Sequence, residues 1–225
     1  MNCLRRPQAK FNDSNYVTSL LEKSKPMKAN VSATKVTQTS MVYPLTPQQF
    51  ALWLLYQREP ENKTYNTGFT ARIVSEVNVS ALRAAFQQIS DRHAALRTIF
   101  LTQDGEPRQQ VLDKQDIFFV QVETSISGNG SFEQELYEQV ISASRQPFCL
   151  ETGPLLRVYL FTQQVDQHIL LISMHHIIGD GWSIDILLNE LRILYPALSL
   201  GEEGELPETT TQPMQTMCLG YIERT

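Results

Sequence analysis

The run "HILLISMH", residues 168–175, carries Ile169, Leu170, Leu171, Ile172 and Met174 with almost no polar relief. A strand this apolar cannot turn one face to water, so it belongs near the middle of a sheet covered on both sides. That requirement excludes most small folds. The chain must supply flanking strands and a layer of helices on each face.

The neighbouring segments can supply both. "LLRVYLFT" precedes the run and reads as its adjacent strand, "TGFTARIVS" alternates Phe69, Ala71 and Ile73, and "IFFVQVE" is a further strand. "ALRTIFL", the turn "QDGEP" and "RQQVL" predict a hairpin. In "TPQQFALWLLYQRE" Thr46 is placed as N-cap and Pro47 at the first helical position. "NVSALRAAFQQISDRH" puts Leu82, Ala85, Phe86 and Ile89 on one face, and "SFEQELYEQVISASRQ" is a second amphipathic helix stopped by Pro147. "SIDILLNELRILY" predicts a last helix, capped by Ser183 and closed by Pro196. Strands interleaved with helices predict an α/β class (an α+β sandwich), with a mixed sheet covered by helices.

Three parts follow from composition. Residues 1–40 are polar and carry seven Lys/Arg against two Asp/Glu, a net of +5, and read as a flexible leader or linker. Residues 41–200 hold the periodic elements, and residues 201–225 show no sustained period. With −5 overall, everything after the leader must carry −10, which argues against general nucleic-acid binding, because that rests on neutralising phosphates. Cys3, Cys149 and Cys218 are odd in number and far apart, giving neither a disulfide framework nor zinc spacing. No run approaches the roughly 20 apolar residues of a membrane span, and the N-terminus lacks a long apolar stretch. A cytoplasmic protein is the expectation.

The chemistry concentrates in "SMHHIIGDGWS", Ser173–Ser183, which holds two of the four histidines. Adjacent strand residues point to opposite faces, so His175 and His176 cannot both reach one metal ion while the strand stays regular. One ring must face the covered side and the other the space beyond. A neutral histidine at such a strand end can act as a general base near pH 7 if its tautomer and orientation are fixed. It can equally be a satisfied core histidine beside a turn aspartate. Gly179 and Gly181 offer backbone conformations closed to other residues, and Asp180 can lock the loop through backbone groups or an arginine.

These residues resemble the HHxxxDG signature of nonribosomal peptide synthetase condensation domains, and the trailing Gly181-Trp182-Ser183 is typical of peptide-bond-forming members. "LTPQQFALWLL" resembles the family's first motif through Gln49, Leu52, Trp53 and Leu55. "DRHAALRTIF" resembles the second through Arg92, His93, Leu96, Arg97, Thr98 and Phe100. "QPFCLETGPLLRVYL" resembles the stretch before the active-site strand. Gln48, Ala51, Ala94 and Cys149 depart from the usual residues, and none of them lies in HHxxxDG. The resemblance covers about residues 43–200.

The resemblance implies one half of a chloramphenicol-acetyltransferase-like fold, in which two similar halves meet in a V around a tunnel. His176 corresponds to the principal catalytic histidine, and His175 and Asp180 to its supports, with Asp180 paired to Arg97 across the core. Gly181 would line the passage and offer its N–H near the thioester, with Trp182 beside it. No cofactor is bound directly: substrates arrive on the phosphopantetheine arms of carrier protein domains, and an adenylation domain belongs to the same assembly. The family reaction is amide formation between two carrier-bound thioesters. An HHxxxDG O-acyltransferase and a non-catalytic remnant or interaction module are the competing readings. A complete domain is roughly twice this length, so the chain alone is expected to be weak or inactive. Back-translated two nucleotides out of phase, "PMQTMCLG" permits Tyr-Ala-Asp-Tyr-Val-Leu, similar to the family's next motif, so a frameshift is expected near Leu206–Gln212.

Overall fold

Capping chemistry sets the helix starts in the computed structural model, which describes residues 41–124 and 132–206. The expectations for residues 1–40 and for the tail past Leu206 lie outside the described residues. The elements run β1 (Met41–Pro44), α1 (Pro47–Arg58), β2 (Asn66–Ile73), α2 (Val79–Arg92), β3 (Thr98–Gln103), β4 (Glu106–Val111), β5 (Phe118–Glu123), α3 (Phe132–Ser144), β6 (Leu156–Gln164), β7 (Gln167–His175) and α4 (Gly181–Ser199). A 3-10 turn, Ala94–Arg97, joins α2 to β3. At α1 the expected cap is present and reciprocal. Gln49 N–H donates to Thr46 Oγ1 at 3.2 Å, and Thr46 N–H donates to Gln49 Oε1 at 2.9 Å.

Helix α4 departs from expectation at both ends. Its cap is Asp180 and not Ser183, which sits three positions on and completes a capping box with it. A carboxylate at the positive end of the helix satisfies its free N–H groups better than a hydroxyl one turn inside. At the other end the helix continues through Pro196. The stop is a Schellman motif: Glu202 N–H reaches Ala197 O at 2.9 Å, Gly201 N–H reaches Leu198 O at 3.2 Å, and Gly201 holds φ +79°. A proline one turn from the end costs a single ladder bond, whereas the left-handed residue reverses the chain. Gly201→Ala is therefore expected to lower stability by about 1 kcal/mol, visible as a lower thermal unfolding midpoint.

The strands form two sheets. Four make a sheet of order β2-β7-β6-β5, and β1, β4 and β3 make a separate three-stranded antiparallel sheet. Strand β7 pairs antiparallel with β2 and with β6, and β5 pairs parallel with β6, so the larger sheet is mixed and β7 is internal, as its composition requires. The hairpin β3–β4 turns at Asp104 and Gly105, with φ 53° and 83°, the two positive values that suit a tight Asp-Gly turn. Sequence patterning had left this hairpin unplaced relative to the main sheet.

Both faces of the larger sheet are covered. On one, Leu156, Val158 and Leu160 of β6 and Leu170, Ile172 and Met174 of β7 join a buried cluster with Leu82, Phe86 and Ile89 of α2 and Ile184, Leu187 and Leu194 of α4. The other face presents buried Tyr159, Phe161, Leu171 and His175, with Leu136 and Ala143 buried on α3. No helix among the described residues is long and apolar enough to cross a membrane.

Candidate active site

Strand β7 delivers the two histidines to opposite environments. His175, its last residue, is buried at 4% exposure, whereas the next residue, His176, is exposed. The strand end is held from both sides: His175 N–H donates to Leu155 O at 3.0 Å, and His176 N–H donates to Tyr65 O at 2.8 Å. The two rings therefore diverge, as strand alternation requires.

Each ring has a defined hydrogen-bonding state. Ile177 N–H donates to His175 Nδ1 at 3.1 Å, which leaves that nitrogen without a proton. Burial drives the His175 pKa down to about 4, with repulsion from His176 adding to it, so this ring is neutral over the physiological range. His176 Nδ1 lies 2.9 Å from Gly179 O. A carbonyl can only accept, so Nδ1 must carry the hydrogen, and in the neutral ring Nε2 is the unprotonated nitrogen. That fixes the tautomer a general base needs.

The loop Ile177–Asp180 makes this possible. Neither Gly179 nor Gly181 uses a positive φ, so the backbone freedom that glycine offers is not taken up at either position. Gly179 is instead required by space: a Cβ there would lie 2.8 Å from Ser183 Oγ and 3.1 Å from Met174 Sδ. A Cβ on Gly181 would meet nothing within 4 Å, and Trp182 is 72% exposed, so the helix start is open to the outside. Asp180 Oδ1 accepts from Ser183 N–H and Ser183 Oγ, both at 3.1 Å.

The expected pairing of Asp180 with Arg97 is absent among the described residues. Arg97 sends its guanidinium to three carbonyls: Ser90 O at 3.2 Å, Asp113 O at 3.2 Å, and Leu112 O. It ties the end of α2 to the end of β4, while helix capping occupies Asp180. The link from the second motif to α4 runs through Arg92 and His93 instead. Arg92 Nε lies 3.1 Å from Glu190 Oε1 and His93 Nε2 lies 2.7 Å from Glu190 Oε2, with the His93 side chain fully buried. Sequence reading named both residues only as motif members. Their partner on α4 could be found only by folding the chain. A cavity of about 650 Å³ opens between α3 and the face of β2 and β7, lined by Gly68, Thr70, Arg72, Tyr137 and Leu171, and His176 does not line it.

Residues 39–214 match the family described as Condensation domain, a span of most of the chain. The chain belongs to the condensation-domain family. Bacitracin synthase 3 of Bacillus licheniformis is 39% identical over 158 residues, which are 70% of this chain and 2% of that protein. Phosphinothricin tripeptide synthetase PhsB of Streptomyces viridochromogenes is 34% identical over 189 residues, which are 83% of this chain and 16% of that one. Among solved structures, the starter condensation domain of rhizomide synthetase RzmA superposes with a TM-score of 0.69 at 21% identity, over 79% of this chain and 42% of that chain. The first condensation domain of the CDA synthetase gives 0.68 at 22% identity, over 80% and 44%. These likenesses establish the fold, part of a chloramphenicol-acetyltransferase-like condensation domain. This condensation-domain chain spans about two-fifths of the solved domains and a sixth or less of these two synthetases.

Proposed function

We propose that the chain is the N-terminal portion of a condensation domain that joins two carrier-bound aminoacyl or peptidyl thioesters through an amide bond. The observation that carries this is the Nδ1–Gly179 O bond, which leaves His176 Nε2 as a free acceptor on an exposed ring at the end of the central strand. In the reaction the acceptor amine attacks the donor thioester carbonyl, the C–N bond forms and the C–S bond breaks. Nε2 takes the proton released by the amine and returns it to the departing thiolate. His175 acts through geometry: neutral and buried, it holds the strand end and accepts the Ile177 N–H that starts the loop. Asp180 keeps that loop on the first turn of α4, and Gly181 leaves room there for substrate. Aminolysis of a thioester needs mainly proximity and orientation, so a single histidine without a covalent nucleophile suffices.

The chemistry of the carriers follows from the family. The proposal takes phosphopantetheine arms on carrier protein domains as the source of both substrates, with an adenylation domain elsewhere in the assembly. Given the share of the solved domains that the chain spans, the 225 residues alone are expected to show little or no amide formation with two loaded carriers. Supplying the C-terminal portion of a condensation domain as a second chain should restore it. Robust turnover by the chain alone overturns the division of labour proposed here. Transfer to an alcohol in preference to an amine favours the O-acyltransferase reading. A non-catalytic remnant would show no turnover under either condition. Reading the gene in the shifted frame past Leu206 tests the frameshift: it should continue into condensation-domain sequence.

A further inference from the structure

Behind the two histidines the structure places a second set of polar groups that the reaction above does not use. Arg157, on β6, points to the same sheet face as His175, because it pairs with Ser173 two residues before it. Its guanidinium carbon stands 4.0 Å over the ring of Phe148, and its nitrogens donate to Gln146 O at 3.1 Å and Pro147 O at 2.9 Å. Asn66 lies directly across from His175 in the β2–β7 register. Its Nδ2 donates to Ser144 O at 3.0 Å and to the same Gln146 O at 2.9 Å. Two side chains from two strands thus grip one short segment, residues 144–148, from both sides.

What that segment offers in return is Phe148. Its ring is buried and meets the His175 ring edge-on, with centroids 6.1 Å apart and planes at 83°. Burying a guanidinium is costly, and an apolar side chain of similar length would fill the space at a lower cost of desolvation. The two carbonyls and the aromatic face offset that cost, so the group is kept for what it fixes. The orientation then passes from ring to ring: Phe148 sets His175, His175 Nδ1 takes the Ile177 N–H, and the loop so started presents Gly179 O to His176 Nδ1.

We propose that Arg157 and Asn66 are positioning residues for the candidate catalytic histidine, acting through Phe148 and His175 without touching substrate. The inference rests on the role given to His176 above, but its test does not depend on turnover. The ring signals of His175 are followed by NMR against pH in the full 225-residue chain and in three variants. Arg157→Met keeps the length of the stem and removes the cation and its hydrogen bonds. It should raise the His175 midpoint by about one pH unit, because Phe148 loses its anchor and the ring is less tightly enclosed, which relieves the burial that lowers its pKa. Arg157→Lys retains the charge and should shift the midpoint by less than half as much. A folded Arg157→Met chain with a lower unfolding temperature and an unmoved midpoint makes Arg157 a packing residue and overturns the proposal. Where Arg157→Met does not fold, Asn66→Ala decides. It releases the Ser144 and Gln146 carbonyls while leaving the stack, and it should shift both the Phe148 ring signals and the His175 midpoint. Unchanged spectra in that variant also overturn the proposal. Failure here with intact His176-dependent turnover would leave the assigned reaction standing, so the two ideas fail separately.

Discussion

In the proposed reaction, His176→Ala is expected to lower amide formation by roughly 100-fold or more when the C-terminal portion of a condensation domain is supplied, the usual yield of a positioned acid–base group. The ring is exposed and its one described side-chain bond is to a loop carbonyl, so its loss leaves the core untouched. Single-turnover rates with two loaded carriers would measure the effect, with thermal unfolding of the variant as the control. The contrast is with His175, whose ring is buried against Phe148. Substitution there should cost folding as well as rate. A His176→Ala variant that turns over at the native rate would remove the histidine from the chemistry and leave only proximity.

Acidification is expected to cost the fold about 3 kcal/mol between pH 7 and pH 4 through His175 alone. The ring's pKa falls from 6.5 in the unfolded chain to about 4 in the folded one, chiefly because burial penalises the charged form. The unfolded state therefore takes up a proton first, at a pH where the folded state still refuses it. The stability tied to the neutral ring is present in full above pH 6.5 and is lost as pH falls toward 4. Urea unfolding at a series of pH values would show this slope, and a His175→Gln variant should lack it. A native chain with equal stability at pH 7 and pH 4.5 would mean that the ring is not enclosed as described.

Much of this was readable from residue order, and the limits have physical causes. Strands β6 and β7, α2 and the Thr46 cap were legible because each is written locally, in composition, period or a three-residue spacing. Strand β1 was not, since four residues with mostly exposed side chains carry no alternation to read. The split into two sheets depends on β4 choosing β1 and β3 as partners, a non-local pairing. Pro196 looked like a helix stop because proline usually is one, but Gly201 holds the residue that turns the chain. At the site, the divergence of His175 and His176 followed from strand alternation before any fold was known. The steric need for Gly179 did not, because Met174 and Ser183 approach it only in three dimensions. The Asp180–Arg97 pair came from family likeness alone, and the carbonyls around Arg97 overrule it.

The two backbone bonds at the end of β7 have a consequence for how work is divided in the proposed reaction. His175 is tied to Leu155 and His176 to Tyr65, so the strand end is fastened to the chain on either side of it. A ring mounted on such an anchor cannot travel to meet a reactant. In the proposed reaction the protein would then act as a jig whose backbone is fastened, with the reactants brought to it, and looseness at the strand end would degrade the rate without altering any chemical group.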